Sequence, residues 1–338
     1  MAEAVTFVVA NYNYGRYLGK AVQSLLDQTY EPLDVVIVDD ASTDPITPTV
    51  LESFEHNPRV RIIRHAQRRG NRTSDNEGTE IARGDLVGTL DADDFCLDRD
   101  AVRRQVALFE SDPDIAFVYT AYALCESDGT HLREYRPFRH DRVRDGLREF
   151  ADLVMANHVS HSGAMVRRSC HHAVGGYDTS LPYAGDLDLW LRLAGRYKVG
   201  YLARPLYAYR QHAQSMTSRG ISPGGAIDEM LAAVEHGFAA LPPGTPPRIH
   251  ALKAMAVRRV LLSVTWRERS LGHTRRSWVA LGAALQRCPT LLVLSAFWGA
   301  LFRLVLLTVL GHPRYVRLAQ WRAARRGVFE PLHALLGT

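Results

Sequence analysis

The stretch Gly88-Thr-Leu-Asp-Ala-Asp-Asp-Phe95 sets three carboxylates within four residues, directly after an apolar Leu86-Val87 step that reads as the end of a strand. Like charges this close repel, so a buried cluster needs a counter-charge or shifted protonation. A hard divalent cation, bound by one or two carboxylates together with substrate phosphates, suits such a group, and magnesium and manganese are the natural choices. A lone Asp-x-Asp is weak evidence, because a solvated turn or a helix start uses the same residues. Asp98 and Asp100, which open the next helical pattern, fit that plainer role. A second acidic group, Gly185-Asp-Leu-Asp-Leu-Trp190, also opens a helix. There Asp186 and Asp188 lie two positions apart and face different sides, so they do not share one role.

Short runs rich in branched residues at 4–10 (AVTFVVA), 34–38 (DVVIV), 59–63 (RVRII) and 86–90 (LVGTL) read as the strands that position these acids. Helical patterns at Tyr17–Gln28, Ile46–Phe54 and Thr73–Ala82 alternate with them. Further on, the pattern predicts a helix over Asp98–Glu110, strands over Ile115–Ala121 and Ser162–Arg167, a helix over Leu187–Ala194 and an extended Val199–Tyr209. Such alternation predicts an α/β layered sheet with parallel neighbours. Polar clusters Asn11-Tyr-Asn-Tyr14, Asp39–Asp44 and Asp91–Asp94 follow three of the strands. In these sheets ligands bind beyond the carboxyl ends of the strands, so the clusters are expected to meet in one crevice.

With 338 residues, 46% hydrophobic and 23% charged, the chain has the composition of a globular protein with room for a large domain and an appendage. Its net charge of +5 hides an asymmetry: residues 1–247 hold 26 Lys and Arg against 34 Asp and Glu, whereas residues 248–338 hold 15 against 2. The switch coincides with Leu241-Pro-Pro-Gly-Thr-Pro-Pro-Arg248, a stiff, helix-breaking linker, so the boundary is expected between residues 240 and 248. Four scattered cysteines without a C-x-x-C pair argue against a zinc knuckle or a disulfide framework and for a reducing compartment. The N-terminus lacks the basic region of a secretory signal. A cytoplasmic protein whose basic tail faces an acidic surface is expected.

Residues 290–311 (TLLVLSAFWGALFRLVLLTVLG) are apolar and long enough to suggest a membrane span, although Arg303 lies inside. Both flanks are basic, with Arg275, Arg276 and Arg287 before and Arg314, Arg317, Arg322, Arg325 and Arg326 after. A span shows its positive charge mainly on the cytoplasmic flank. Symmetric charge ranks helices lying on an anionic leaflet first, a folded helical appendage second and a true span third. No motif or aromatic platform for nucleic acid accompanies the arginines.

Four segments, VTFVVANYNYGRYLGKAVQSLLDQTY, VVIVDDASTD, GNRTSDNEGTEIARGDLVGTLDADD and YAGDLDLWLRLA, together resemble the family 2 glycosyltransferases, in order and spacing, over roughly residues 4–215. The resemblance implies a GT-A fold, a Rossmann-like three-layer α/β/α sandwich of nucleotide-diphospho-sugar transferases, over 1–240; the charge switch and linker add a basic C-terminal helical appendage over 248–338. The resemblance also implies an inverting, metal-dependent transfer of a sugar from a UDP-, GDP- or dTDP-sugar to a hydroxyl of a glycan, lipid-linked or other acceptor, with Mn2+ or Mg2+ as cofactor. Carried over by position, Tyr12 stacks on the nucleobase and Asp40 accepts from it, beside Ala10, Asn11 and Asp39. An aromatic face and a carboxylate acceptor suit that task. Asp91 goes to the donor ribose, Asp93 to the metal, and Asp186 is the general base. Tyr209-Arg-Gln-His-Ala-Gln-Ser215 resembles a later segment, which makes His212 a metal ligand and Arg210, with Asp94, a support or a diphosphate contact.

Asn76 matches a donor-binding asparagine. Two positions depart from the pattern: Asp75 stands where Arg is usual, and Gly185 stands where a helper Glu precedes the base. Among rivals, a sugar nucleotidyltransferase needs a glycine-rich loop after the first strand, and Ala10-Asn-Tyr-Asn-Tyr14 has none. A non-catalytic nucleotide-sugar or membrane adaptor of the same fold predicts lost acids, yet Asp40, Asp91, Asp93 and Asp186 are present. The Q-x-x-R-W segment of processive synthases is absent from the sequence, which favours transfer of single sugars or short chains.

Overall fold

The branched apolar runs near the N-terminus form strands β1 (Val5–Asn11), β2 (Leu33–Asp39), β3 (Val60–Arg64) and β4 (Leu86–Thr89), separated by helices α1 (Gly15–Leu26), α2 (Thr47–Phe54) and α3 (Asn71–Glu80). This is seen in a computed structural model that describes residues 3–216, 222–270, 272–312, 314, 315 and 317. The chain continues through β5 (Phe95–Cys96), α4 (Ala101–Ser111), β6 (Ile115–Cys125), β7 (His131–Tyr135), β8 (Arg142–Arg144), α5 (Gly146–Leu153), β9 (Met165–Arg167), α6 (Arg168–Ala173), α7 (Gly185–Ala194) and β10 (Lys198–Arg210). Two units separate by contact, one of Met1–Ser215 with His236–Thr245, the other of Met216–Glu235 with Pro246–Thr338.

In the first unit the sheet order is β3-β2-β1-β4-β9-β6-β10-β5, with β7 on β6 and β8 on β10. β3, β2, β1 and β4 are parallel, as the alternation of strand and helix predicts. Parallel order stops at β9, which runs antiparallel to both β4 and β6. A three-residue strand needs no crossover helix to pair in this way, so the pattern of elements does not fix its direction. β6 and β10 are again parallel, over a long pairing broken by register shifts.

Alternating side chains build two apolar faces. Phe7, Val9, Val35 and Ile37 share one core with Leu18 and Leu25 of α1, Leu51 of α2 and Val106 of α4. Val8, Val36 and Val38 face the other way, with Ala82 after α3. On that second face Trp190 of α7 stacks on Phe117 of β6 at 5.0 Å, which completes an α/β/α sandwich. Each fully buried aliphatic or aromatic side chain here contributes about 1.5–3 kcal/mol. Gly88, paired with Phe7, has no room for a side chain, because a Cβ there would lie 2.5 Å from the Phe7 ring. The glycine that opens the acidic stretch is therefore a packing requirement.

The second unit is helical: α8 (Pro223–Ala239, which continues into the first), α9 (Pro247–His250), α10 (Lys253–Ser270), α11 (Thr274–Arg287), a 3-10 turn (Pro289–Val293) and α12 (Ser295–Leu310). The segment 290–311 is thus not one helix, since the turn and the extended Leu294 divide it. The 16 residues of α12 rise only about 24 Å against a hydrocarbon core of about 30 Å. Among the described residues no helix is long and apolar enough to cross a membrane. Arg322, Arg325 and Arg326 lie outside the described residues.

Candidate active site

At the carboxyl ends of β1 and β2, Asn11 donates to Asp39 Oδ1 at 2.7 Å, and Ser42 donates to the same oxygen at 2.6 Å. Asn11 and Asp39 are both buried, so this pair closes the floor of the crevice. Ala10 pairs in register with Val38 and offers only its strand position. Asp40 points the other way, where it accepts from His65 Nδ1 at 2.8 Å and from the backbone N–H groups of Arg69 and Gly70 at 2.6 and 2.8 Å. Burial pushes Asp40 up, but these hydrogen bonds outweigh it and hold the carboxyl below its ordinary value. Tyr12 stands at the rim with the Arg68 guanidinium 4.2 Å over its ring. A planar cation thus rests on the face expected to stack on a base, and Arg68, 61% exposed, also stands 4.0 Å from Asp40 Oδ2.

The three acids of the opening stretch have three different environments. Asp91 accepts from His161 Nδ1 at 3.1 Å and from Ser162 Oγ at 2.9 Å. Against the upward push of burial, His161 and then Arg72 and Ser162 bring it down to about 2. Asp94 is enclosed, and burial together with Asp93 and Asp91 pushes it well up. Its Oδ2 lies 2.5 Å from Ser162 Oγ, while the Arg210 N–H donates to Oδ1 at 2.7 Å. A serine hydroxyl has one proton to give. It faces a carboxylate oxygen of Asp91 and one of Asp94, so it can serve only one of them at a time.

Asp93 is raised by burial and by Asp91, and its Oδ2 lies 2.8 Å from His212 Nε2. The His212 ring packs edge-on against Tyr14 at 5.5 Å and tilted on Tyr17 at 4.9 Å, and its buried Nδ1 has no partner. Asp93 and His212 therefore fit a divalent cation: one acid short of positive charge, one imidazole nitrogen and an orphaned second nitrogen. No group of three such ligands occurs among the described residues, so phosphate oxygens would complete the shell. Arg210 is turned away from the cleft. It donates to the carbonyls of Asp93 at 2.6 Å and Ser127 at 2.8 Å and is buried, which makes it a brace for the acidic loop. Asn76 is likewise engaged, because both ends of its amide bind the Tyr177 backbone, at 2.8 and 2.9 Å, and it straps that segment to α3.

Asp186, in the first turn of α7, accepts from the Leu187 N–H at 2.8 Å and from Asn157 Nδ2 at 3.5 Å. Asp188, on the other side of the helix, is fully buried and paired with Arg192 and with His236 Nδ1 at 3.0 Å. Asp186 and Asp91 are nearly a hundred residues apart, yet one chain of contacts joins them. His161, on Asp91, reaches Asp75 Oδ2 with Nε2 at 3.5 Å. Asp75 accepts from Arg72 Nη1 at 3.0 Å, and Arg72 Nη2 stands 3.9 Å from Asp186 Oδ1. Anion and cation alternate along the whole path. Burial would lower His161, but Asp91 and Asp75 raise it, which suits an imidazolium between two acids.

His65, Arg68, His161 and Ser162 lie outside the segments that carry the resemblance, and Arg72 lies inside one of them with no role assigned to it. Their only sequence signal is indirect: clustered strand-end acids demand cations and donors, and these residues lie in the loops and helix start that face them.

The family model described as Glycosyl transferase family 2 matches residues 6–175. Chondroitin synthase of Escherichia coli is 28% identical over 193 residues, which is 56% of this chain and 26% of that protein, so the match spans about a quarter of the relative. Among solved structures, S. aureus TarS 1–349 in complex with UDP-GlcNAc is similar with a TM-score of 0.63 at 16% identity, over 84% of this chain and 82% of that one. The mannosyltransferase PcManGT of Pyrobaculum calidifontis, in complex with GDP-Man and Mn2+, gives a TM-score of 0.57 at 18% identity, over 91% and 88%. At these identities the structural likeness establishes the fold.

Proposed function

The chain belongs to glycosyl transferase family 2 and is a glycosyltransferase of GT-A fold, and from that premise we propose a metal-dependent inverting transfer from a nucleoside-diphosphate sugar to a hydroxyl. The observation that supports this reading is the contact path from Asp91 through His161, Asp75 and Arg72 to Asp186, which links the two acidic segments. The donors named for the two structural likenesses, UDP-GlcNAc and GDP-Man, support a nucleotide sugar.

In this reading Arg68 yields the Tyr12 ring to the nucleobase, and Asp40, with its hydrogen-bond shell preset, accepts a ring N–H. Asp91, 42% exposed beside a buried Asp94, offers its carboxylate to the ribose hydroxyls. Asp93 and His212 would hold Mn2+ or Mg2+, which when bound offsets the negative charge that builds on the leaving diphosphate. Asp186 takes the proton from the acceptor hydroxyl as its oxygen bonds to the anomeric carbon and the bond to the diphosphate breaks. Residues 1–240 form the catalytic domain, and 248–338 a basic region that rests on an anionic membrane face on the cytoplasmic side, where a glycan or lipid-linked acceptor is presented. The acid-poor charge of that region supports this placement.

The test is Asp186→Asn in the full chain. It should keep nucleotide-sugar affinity in calorimetry while turnover falls by about 10²–10⁴-fold, the usual share of a general base. Retained turnover would move the base elsewhere.

A further inference from the structure

The two departures from the family pattern, Asp75 and Gly185, are one structural event. A Cβ at Gly185 would lie 2.9 Å from Arg72 Nε, 3.1 Å from its Cδ and 3.2 Å from its Cγ. The Arg72 side chain thus crosses the N-terminus of α7 through the space that any larger residue at 185 would need. Asp75, one turn along α3, accepts from Arg72 Nη1 at 3.0 Å. Arg72 is buried, and although burial works against its charge, Asp75 and then Asp186 more than offset that. A permanent cation therefore stands 3.9 Å from Asp186 Oδ1, while Asn157 approaches the other oxygen, Oδ2.

We propose that Arg72 is the positioning residue of the base: it aims the Asp186 carboxylate, with Asp75 as its counter-charge and Gly185 as the opening that admits it. The acid–arginine pair beside the base is supplied by one helix, α3, in place of a carboxylate next to Asp186. The inference rests on the reading of Asp186 as the base.

Its test uses the full chain with its best nucleotide-sugar donor and acceptor. Arg72→Met should lower kcat by about tenfold to a hundredfold, the usual result of a displaced reacting group, and leave donor KM within about twofold. Arg72→Lys should recover part of kcat. Gly185→Ala should lower kcat in the parent but cost nothing further when combined with Arg72→Ala, because the obstructed side chain is gone. If Arg72→Met fails to fold, the charge-neutral pair Arg72→Met/Asp75→Asn gives the same reading. Unchanged kcat in a folded variant, a loss confined to donor KM, or additive effects of Gly185→Ala and Arg72→Ala would overturn the proposal. Asp186→Asn run in parallel separates the failures: if it retains turnover, the base assignment falls, and if only it is inactive, Arg72 is merely structural.

Discussion

Three neighbouring aspartates in this chain hold three electrostatic states, set by who faces each of them. His161 holds Asp91 below its ordinary value, enclosure with the other two acids pushes Asp94 well up, and Asp93 is left with one imidazole and a deficit of positive charge. The deficit gives a direct expectation. Asp93→Ala should bind the donor equally well with and without manganese in calorimetry, whereas the parent binds it more tightly with the metal. A metal-dependent increment that survives the substitution would remove Asp93 from the metal site. The acids were legible in the sequence because their number and spacing are abnormal for a solvated loop. Their partners were not, because His161 and Ser162 precede a short strand and a lone His or Ser has no pattern. Arg210 and Asn76 show the reverse, since residue type suits a ligand but the structure commits both to backbone groups.

Among the elements, the ends of β2 and β3 and the helix α3 meet at His65. Its Nδ1 lies 2.8 Å from Asp40 and its Nε2 2.5 Å from Glu77. Burial would lower His65, yet these two carboxylates raise it above 6.5, and Asp40 sits below 3.8. A raised histidine stabilises fully below its unfolded value and loses that as pH rises through the folded value; a depressed aspartate stabilises above its unfolded value and fails on acidification. The tie is therefore at full strength between pH 3.8 and 6.5 and weakens on the alkaline side. The melting temperature should fall by a few degrees as pH climbs past the His65 transition, and His65→Gln should flatten that limb; a limb of unchanged slope would exclude His65 as its source. Branched apolar runs revealed β1, β2 and β4, because a parallel strand covered on both faces is apolar throughout, whereas the edge strand β3 showed itself by the alternation of Arg with branched residues. β5 and β8, with two and three residues, are too short for a period to emerge, and the five residues of β7 are mostly exposed and polar.

At the scale of the molecule, the part of the second unit from residue 248 on combines an excess of positive charge with an apolar stripe. Glu268, the single acid among its described residues from 248 on, is buried and paired with Arg267 at 2.5 Å, Arg276 at 2.9 Å and His273 at 3.1 Å. On α12, Phe297, Ala300, Leu304 and Leu307 are buried, while Trp298 and Phe302 at 55% and Val309 at 74% face outward, with Arg314 and Arg317 exposed beyond them. An interfacial helix shows this apolar face with basic flanks, each arginine near an anionic surface contributing about 1 kcal/mol. Trp298→Ser/Phe302→Ser should abolish flotation with phosphatidylglycerol-containing vesicles at unchanged melting temperature, and Arg314→Glu/Arg317→Glu should weaken it by about tenfold or more. Undiminished flotation would reject the surface, and a changed oligomeric state without lipid binding would assign the stripe to a second copy. The charge switch at residue 248 and the order of strand, helix and acid were determined by the sequence itself, since composition and periodicity are local properties. Only the tertiary structure decided that 290–311 breaks at Leu294, that β9 runs backwards, and that Asp75 and Gly185 are two halves of one accommodation around Arg72. Those outcomes depend on which distant atoms compete for the same space and charge, and no local period records that.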